Sequence, residues 1–340
     1  MTIMSCSTNK QGLDLEWKQL PPLPDPVGVA GAFAGISGNA LIVAGGANFP
    51  DKMPWEGGTK AWHDEVFVLE KIEGPWKRGF RLPFPNGYGV SLTVPEGVVC
   101  IGGGDAKQHF TNVFLLRWEQ GQLTTRDLAP LPLPLANGCG AVLDQSLYVA
   151  GGTDSPEATR ALKVFLRLDL SSPGARWEEL PAWPGPARML AVATSTAGSL
   201  FLAGGTDLGP GSDGKPVRTY LKDSYRFTPG QGWTRSADMP NPVVAAPSPA
   251  PNLRSSSFVV IGGDDGSLAG FEPRSKHPGF PRRVLHYDVR NNSWQVGAEA
   301  PVSRATLPTA AWHGWHIIPS GEARPGIRSP EVWACRSHQR

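Results

Sequence analysis

SLYVAGGTD (146–154) and SLFLAGGTD (199–207) are near copies of one another. The same phrase returns as ALIVAGGAN (40–48), GVVCIGGGD (97–105) and SFVVIGGDD (257–265). Each is a short apolar run closed by Gly-Gly. Such a run reads as a buried strand that ends in a turn only glycine accepts readily. The first glycines stand at 45, 102, 151, 204 and 262, so the spacings are 57, 49, 53 and 58. The surroundings repeat too. A Leu-Pro or Met-Pro stretch and a Gly/Ala-rich apolar strand come before. A third strand follows: DEVFVL (64–69), TNVFLL (111–116), LKVFLRLD (162–169), SYRFT (224–228) and RVLHYDV (283–289). Trp76, Trp177, Trp233 and Trp294 then mark fourth strands.

A period near 50 residues with four strands per unit is that of kelch blades, and the Gly-His…Trp-Asp marks of the shorter WD40 repeat are missing. A sixth, degraded copy follows: ATLPTAAWHG (305–314), WHIIPSGE (315–322) and EVWACR (331–336), with Ser320-Gly321 in place of Gly-Gly. That copy lacks a fourth strand, and LEWKQL (15–20) at the other end of the chain can supply it, with Trp17 in the blade-tryptophan place. Pairing the two would close the ring and remove both open edges. The expected fold is an all-β, six-bladed kelch-type β-propeller over residues 1–340, closed by the N-terminal strand, with 1–14 as a flexible tail.

Composition agrees. The chain of 340 residues carries 41 Gly, 34 Pro and 12 Trp, which suits short strands and turns. It is 40% hydrophobic and 18% charged, too apolar for disorder. A net charge of +2 favours neither nucleic acid nor an anionic membrane. Cys100 and Cys139 sit in apolar strands and read as core residues; no pair of the four cysteines has metal spacing. No metal site and no cofactor is expected. No apolar run reaches the roughly 18 residues of a membrane span. MTIMSCSTNKQG at the start lacks a leader's apolar segment. The expected compartment is the cytoplasm, or the periplasm if a leader has been removed. The oligomeric state is left open.

Alternation places the loop after each second strand and the loop leading into each first strand on one face, where rigid scaffolds carry function. After the glycines, five copies place Asn48, Asp105, Asp154, Asp207 and Asp265, which read as turn caps. The sixth breaks the rule with Glu322, which makes Glu322 a candidate. Leading into the first strands, Asn86, Asn137, Arg188 and Arg304 align, with Val27 and Val243 in the other two copies. Two arginines and two asparagines at a channel mouth would suit an anionic, hydroxyl-rich ligand. Two long loops, 48–64 and 264–283, mix aromatics with charge: Trp55, Lys60 and Trp62 in one, Phe271, Arg274, Lys276 and His277 in the other. Such loops fit a saccharide pocket, with Lys60 a candidate binding residue; plain surface packing fits them equally. Nucleophile-elbow, P-loop and H-E-x-x-H motifs are missing.

Two stretches are more specific. GVAGAFAGISGNALIVAGGANFP (28–50) with WEGGTKAWHDEVFVL, and GEARPGIRSPEVW (321–333), resemble segments of N-acetylneuraminate epimerases, the sialic acid mutarotases. NGYGVSL (86–92) and GPARMLAVA (185–193) match weaker segments. In that family the G-E-x-K/R-P-G-x-R segment precedes the GVAGGFAG-like blade; here it follows, so the chain resembles a cyclically permuted member. The resemblance implies interconversion of the α and β anomers of N-acetylneuraminate, with Glu322 as the acid–base residue and Arg328 its catalytic or carboxylate-binding partner. It also implies a small sugar acid as the binding partner. A mutarotase for another sugar and a non-catalytic kelch module that binds protein stay open.

Overall fold

The computed structural model describes residues 15–211 and 215–338. The expected tail, 1–14, and Cys6 lie outside the described residues. The described residues form six four-stranded antiparallel sheets, arranged as the blades of a propeller, and three small two-stranded ladders. Five blades run in simple chain order; the first strands are Phe33–Ser37, Val90–Val94, Cys139–Leu143, Val192–Thr196 and Asn252–Arg254. The sixth consists of Ala310–Trp312, Trp315–Pro319, Val332–Ser337 and, as its outer strand, Leu15–Leu20. Its closing ladder runs from Leu15 opposite Ser337 to Leu20 opposite Val332, with no break in register.

Every second strand is buried along its whole length in blades one to five. The reason is the stacking. Successive side chains point to opposite faces, and a blade has a neighbour on each. Leu41 and Val43 pack toward blade six with Ile317, Trp312 and Val332. Ile42, between them, packs toward blade two with Val98, Phe114 and Leu116. The same interleaving fills the four remaining blade interfaces. Cys100, Cys139 and Cys335 are free and buried there. Burial pushes the Cys139 and Cys335 thiols up to about 12 and raises Cys100 further from thiolate chemistry.

The close approach of neighbouring blades explains the Gly-Gly. A Cβ on Gly45, Gly102, Gly151 or Gly204 would stand 2.2–2.4 Å from the carbonyl oxygen of Asn86, Leu135, Arg188 or Val243 in the next blade. The second glycine then donates its N–H to that same carbonyl at 2.7–2.9 Å. In blade six Ser320 takes the first position at φ 64°. Its hydroxyl accepts from Val29 N–H at 2.8 Å, so the side chain replaces a close approach with a bond.

Tryptophans at or next to the fourth strand tie four of the blades to the one before. The indole N–H of Trp76, Trp177, Trp233 and Trp294 donates at 2.9–3.0 Å to the carbonyl of Pro21, Ala129, Pro181 and Ala237, in the proline-rich stretch leading into the same blade. This is the recurrent Leu-Pro…Trp pattern in physical form.

At the channel six residues form a second ring. Gly31, Tyr88, Asn137, Leu190, Ala245 and Thr306 all take positive φ, between 55° and 66°. Each donates its N–H to the carbonyl of the equivalent residue in the preceding blade at 2.7–2.8 Å, and Gly31 donates to Thr306. The loop of bonds closes on itself. Left-handed backbone is costly for residues other than glycine and persists only where the surroundings dictate it. Here the ring dictates it five times, so the conformation belongs to the architecture rather than to any one residue.

Candidate active site

The cavity of about 590 Å³ at the channel mouth lies above this ring, which contributes Tyr88, Asn137, Leu190, Ala245 and Thr306 to its lining. That volume is within the usual range for small-molecule sites, about 300–1,000 Å³. Its polar side chains come from several blades. Lys60 and Tyr88 stand beside Glu322 and Arg328; Asp105, His109, Arg218 and Asp264 also line it.

Glu322 and Arg328 face each other across a hairpin, Glu322–Arg324 with Ile327–Arg328. The turn uses Gly326 at φ 82°, whose N–H donates to Glu322 Oε1 at 2.8 Å. Arg328 Nη1 donates to the same oxygen at 3.0 Å. Both bonds converge on Oε1, which leaves Oε2 as the oxygen available to a ligand. The Arg328 side chain is only 4% exposed. Nη2 reaches the Tyr88 hydroxyl and Nε the Ala47 carbonyl, each at 3.4 Å, and the guanidinium lies 5.0 Å from the Phe49 ring centre. Three of its five N–H donors are thus engaged, two of them only at 3.4 Å, and the guanidinium still lines the cavity.

Lys60 donates to the Tyr88 hydroxyl at 3.1 Å and sits over both the Tyr88 and Trp62 rings, at 4.6 and 5.1 Å. Its position is fixed by a short ladder, Ala47–Asn48 with Ala61–Trp62, that folds the first long loop back over the mouth. Pro54 and Trp55 of that loop press against Gly326. The second long loop reaches the same hairpin from the other side, where Arg324 contacts the His277 carbonyl at 3.4 Å and Phe280 lines the cavity. Both loops therefore flank Glu322 and Arg328. Tyr220 donates to Oδ2 of the lining residue Asp264 at 2.9 Å; burial and then this hydrogen bond push the phenol up to about 12. Burial holds the His109 imidazole below its ordinary range, and Nδ1 lies 3.0 Å from the Thr153 carbonyl.

Four of the sequence-predicted site residues, Lys60, Asn137, Glu322 and Arg328, come together in this cavity. Three do not. Asn86 is fully buried and donates to the Gly102 carbonyl at 3.0 Å. Arg188 is also fully buried: it donates to the Gly204 carbonyl at 2.8 Å and to Asp223 at 2.7 Å, and lies against Trp183 and Tyr225. Arg304 is 7% exposed and pairs with Glu331. The cause is a register offset. Asn86, Arg188 and Arg304 sit two residues before the ring positions Tyr88, Leu190 and Thr306, and their side chains enter their own blades. Asn137 is itself a ring residue, aligned with Tyr88 rather than with Asn86. Val29, not Val27, holds the equivalent place in blade one, where its carbonyl accepts from Gly321. Of the turn caps, Asp105 and Asp265 do bond the backbone N–H groups just after them, at 2.7–3.0 Å. Asn48 instead pairs with His63 at 2.8 Å and with the Gly28 carbonyl at 2.9 Å. The sequence reading missed Tyr88, His109, Arg218 and Asp264. Only Tyr88 carried a signal, as the residue two places after each lead-in position.

The Arg188 environment makes a prediction about stability rather than binding. Removing one partner of a buried ion pair typically costs about 3–5 kcal/mol, because the other charge stays buried. Arg188→Ala is therefore expected to lower the unfolding free energy by that amount, read as a lower denaturant midpoint at unchanged slope. Ligand affinity at the mouth should not move. An Arg188→Ala protein of normal stability would show that the pair contributes nothing.

The sequence model of the N-acetylneuraminate epimerase family matches residues 2–125. The N-acetylneuraminate epimerase of Yersinia pestis (strain Pestoides F) is 38% identical over 132 residues, 33% of this chain and 32% of that protein. That of Vibrio cholerae serotype O1 is 40% identical over 123 residues, 32% of each chain. That of Haemophilus influenzae (strain 86-028NP) is 37% identical over 125 residues, 32% of this chain and 33% of that protein. The matched segment thus spans about a third of each curated relative. It contains Lys60 and Tyr88, while Glu322 and Arg328 lie outside it. The solved structure of YjhT aligns with a TM-score of 0.67 at 16% identity, covering 92% of this chain and 95% of that one. The chain shares the YjhT fold over nearly its whole length, and its first two blades are similar in sequence to N-acetylneuraminate epimerases.

Proposed function

We propose that this protein is a sugar-acid mutarotase that interconverts the α and β anomers of N-acetylneuraminate. The observation that carries the reading is the Glu322–Arg328 pair, held rigidly at the wall of a cavity whose Lys60 side belongs to the segment similar to the epimerases. Mutarotation opens the pyranose at the anomeric carbon, rotates the exposed carbonyl and recloses the ring on the other face. One group takes the anomeric hydroxyl proton and another protonates the ring oxygen. Glu322 Oε2 suits the first task, since Oε1 is occupied and fixes the carboxylate plane. Arg328 positions that carboxylate. Lys60, partly exposed at the mouth, supplies the cation for the sugar's carboxylate. A sequence match confined to one contiguous third of each relative is what a rotated blade order gives a sequential alignment, and supports the permuted reading.

The test is an NMR time course of freshly dissolved α-N-acetylneuraminate with and without the protein. Anomer exchange faster than the uncatalysed reaction is expected at catalytic protein concentrations. Equal rates with and without protein would overturn the proposal. Acceleration of other sugar acids but not of this one would reassign the substrate.

A further inference from the structure

We propose that Tyr88 is the second proton-transfer group of this site, the one that protonates the ring oxygen; the inference rests on the mutarotase reading above. A reaction that opens and recloses a ring needs a donor besides Glu322. Arg328 cannot be that donor, because a guanidinium does not give up its proton in a protein. Tyr88 stands on the cavity lining, partly exposed, joined to Glu322 through the two ends of one guanidinium.

Its bonding is one-sided. The phenol oxygen receives Lys60 Nζ at 3.1 Å and Arg328 Nη2 at 3.4 Å. Among the described residues none accepts the Tyr88 O–H proton. Tyr220 makes the contrast: its hydroxyl is committed to Asp264. A phenol with two cationic donors on its oxygen and no acceptor for its hydrogen is arranged to release that hydrogen to a ligand and to hold the anion that remains.

The backbone keeps it there. Tyr88 belongs to the hydrogen-bonded ring at φ 64°, donating to Gly31 and accepting from Asn137 at 2.7 Å each. Gly31 has no side chain to obstruct it, and a Cβ on Gly31 would stand 2.7 Å from the Tyr88 ring.

The steps balance. Glu322 takes the anomeric hydroxyl proton as the bond between anomeric carbon and ring oxygen breaks. Tyr88 gives its proton to that oxygen, leaving a carboxylic acid, a phenolate and the open-chain keto acid. After the carbonyl turns over, the sugar hydroxyl returns a proton to Tyr88 as it attacks. Glu322 then protonates the former carbonyl oxygen, and both groups regain their starting states.

The experiment is Tyr88→Phe, which keeps the ring and the backbone, compared with Lys60→Met by the same NMR exchange assay. Positioned proton transfer contributes about 10²–10⁴-fold, so Tyr88→Phe should lose at least about 10²-fold in kcat. A KM change within about threefold would place the loss in the chemical step. Lys60→Met leaves the phenol in place and should lose less in kcat than Tyr88→Phe. Lys60 and Arg328 are the charged groups bonded to this hydroxyl, and Glu322 lies beyond the guanidinium. A folded Tyr88→Phe protein with near wild-type kcat would overturn the proposal, as would a larger loss of kcat in Lys60→Met than in Tyr88→Phe. No anomer exchange by the wild type would instead overturn the mutarotase reading itself.

Discussion

Deleting residues 1–20 is expected to destroy the cooperative fold. The deletion takes away the whole outer strand of blade six, all six residues of its ladder. Leu15 and Leu20 are buried at 7% and 3% exposure, one between blades five and six and the other between six and one. Burying a leucine is worth about 1.5–3 kcal/mol, so these two account for roughly 3–6 kcal/mol. Trp17 adds contact with the layer that holds Val259 and Ile261. The Glu16–Arg336 pair, with bonds of 2.8 and 3.0 Å, adds little because both side chains are more than a third exposed. A loss of this size is comparable with the roughly 5–15 kcal/mol of a typical fold. It also leaves Val332–Ser337 as an open edge, ready to pair with another chain. Thermal melting should lose its single transition, and size-exclusion chromatography should show aggregates. A truncated protein that stays monomeric and melts at the wild-type temperature would show that closure of the ring contributes no stability.

Glu322→Gln is expected to lower anomer exchange by at least about 10²-fold, the lower end of what a positioned proton acceptor contributes. Glutamine keeps the oxygen that accepts from Gly326 N–H and loses the charge that pairs with Arg328. The lost charge should cost about 1–3 kcal/mol of stability, too little to unfold the ring. Affinity for the sugar should change little, since the effect lies in the chemical step. The measurement is the NMR exchange rate with the uncatalysed rate subtracted, beside a thermal melt of the same sample. Full activity in a folded Glu322→Gln protein would move the proton acceptor elsewhere in the cavity, to Asp105 or Asp264.

Blade count, strand order and ring closure were legible because each rests on a local signal that repeats. The Gly-Gly at 151–152 marks a place where a Cβ on Gly151 would meet the Arg188 carbonyl, so close approach had to appear in the sequence as glycine. Trp294 and Leu20 likewise stand where a bond to a preceding stretch or an interface demands that residue type. Glu322 was legible for the opposite reason, as a departure from the rule its own repeat sets. What lay beyond the sequence was direction. Arg188 and Leu190 are two residues apart, yet one is sealed against Trp183 and Asp223 while the other faces the cavity. A positive-φ ring closed by six mutual backbone bonds sets that division, and no side-chain pattern announces it. The meeting of Lys60, Tyr88 and Arg328 was hidden for the same reason. They lie on blades one, two and six, and only closure of the ring brings their cationic ends onto one phenol oxygen.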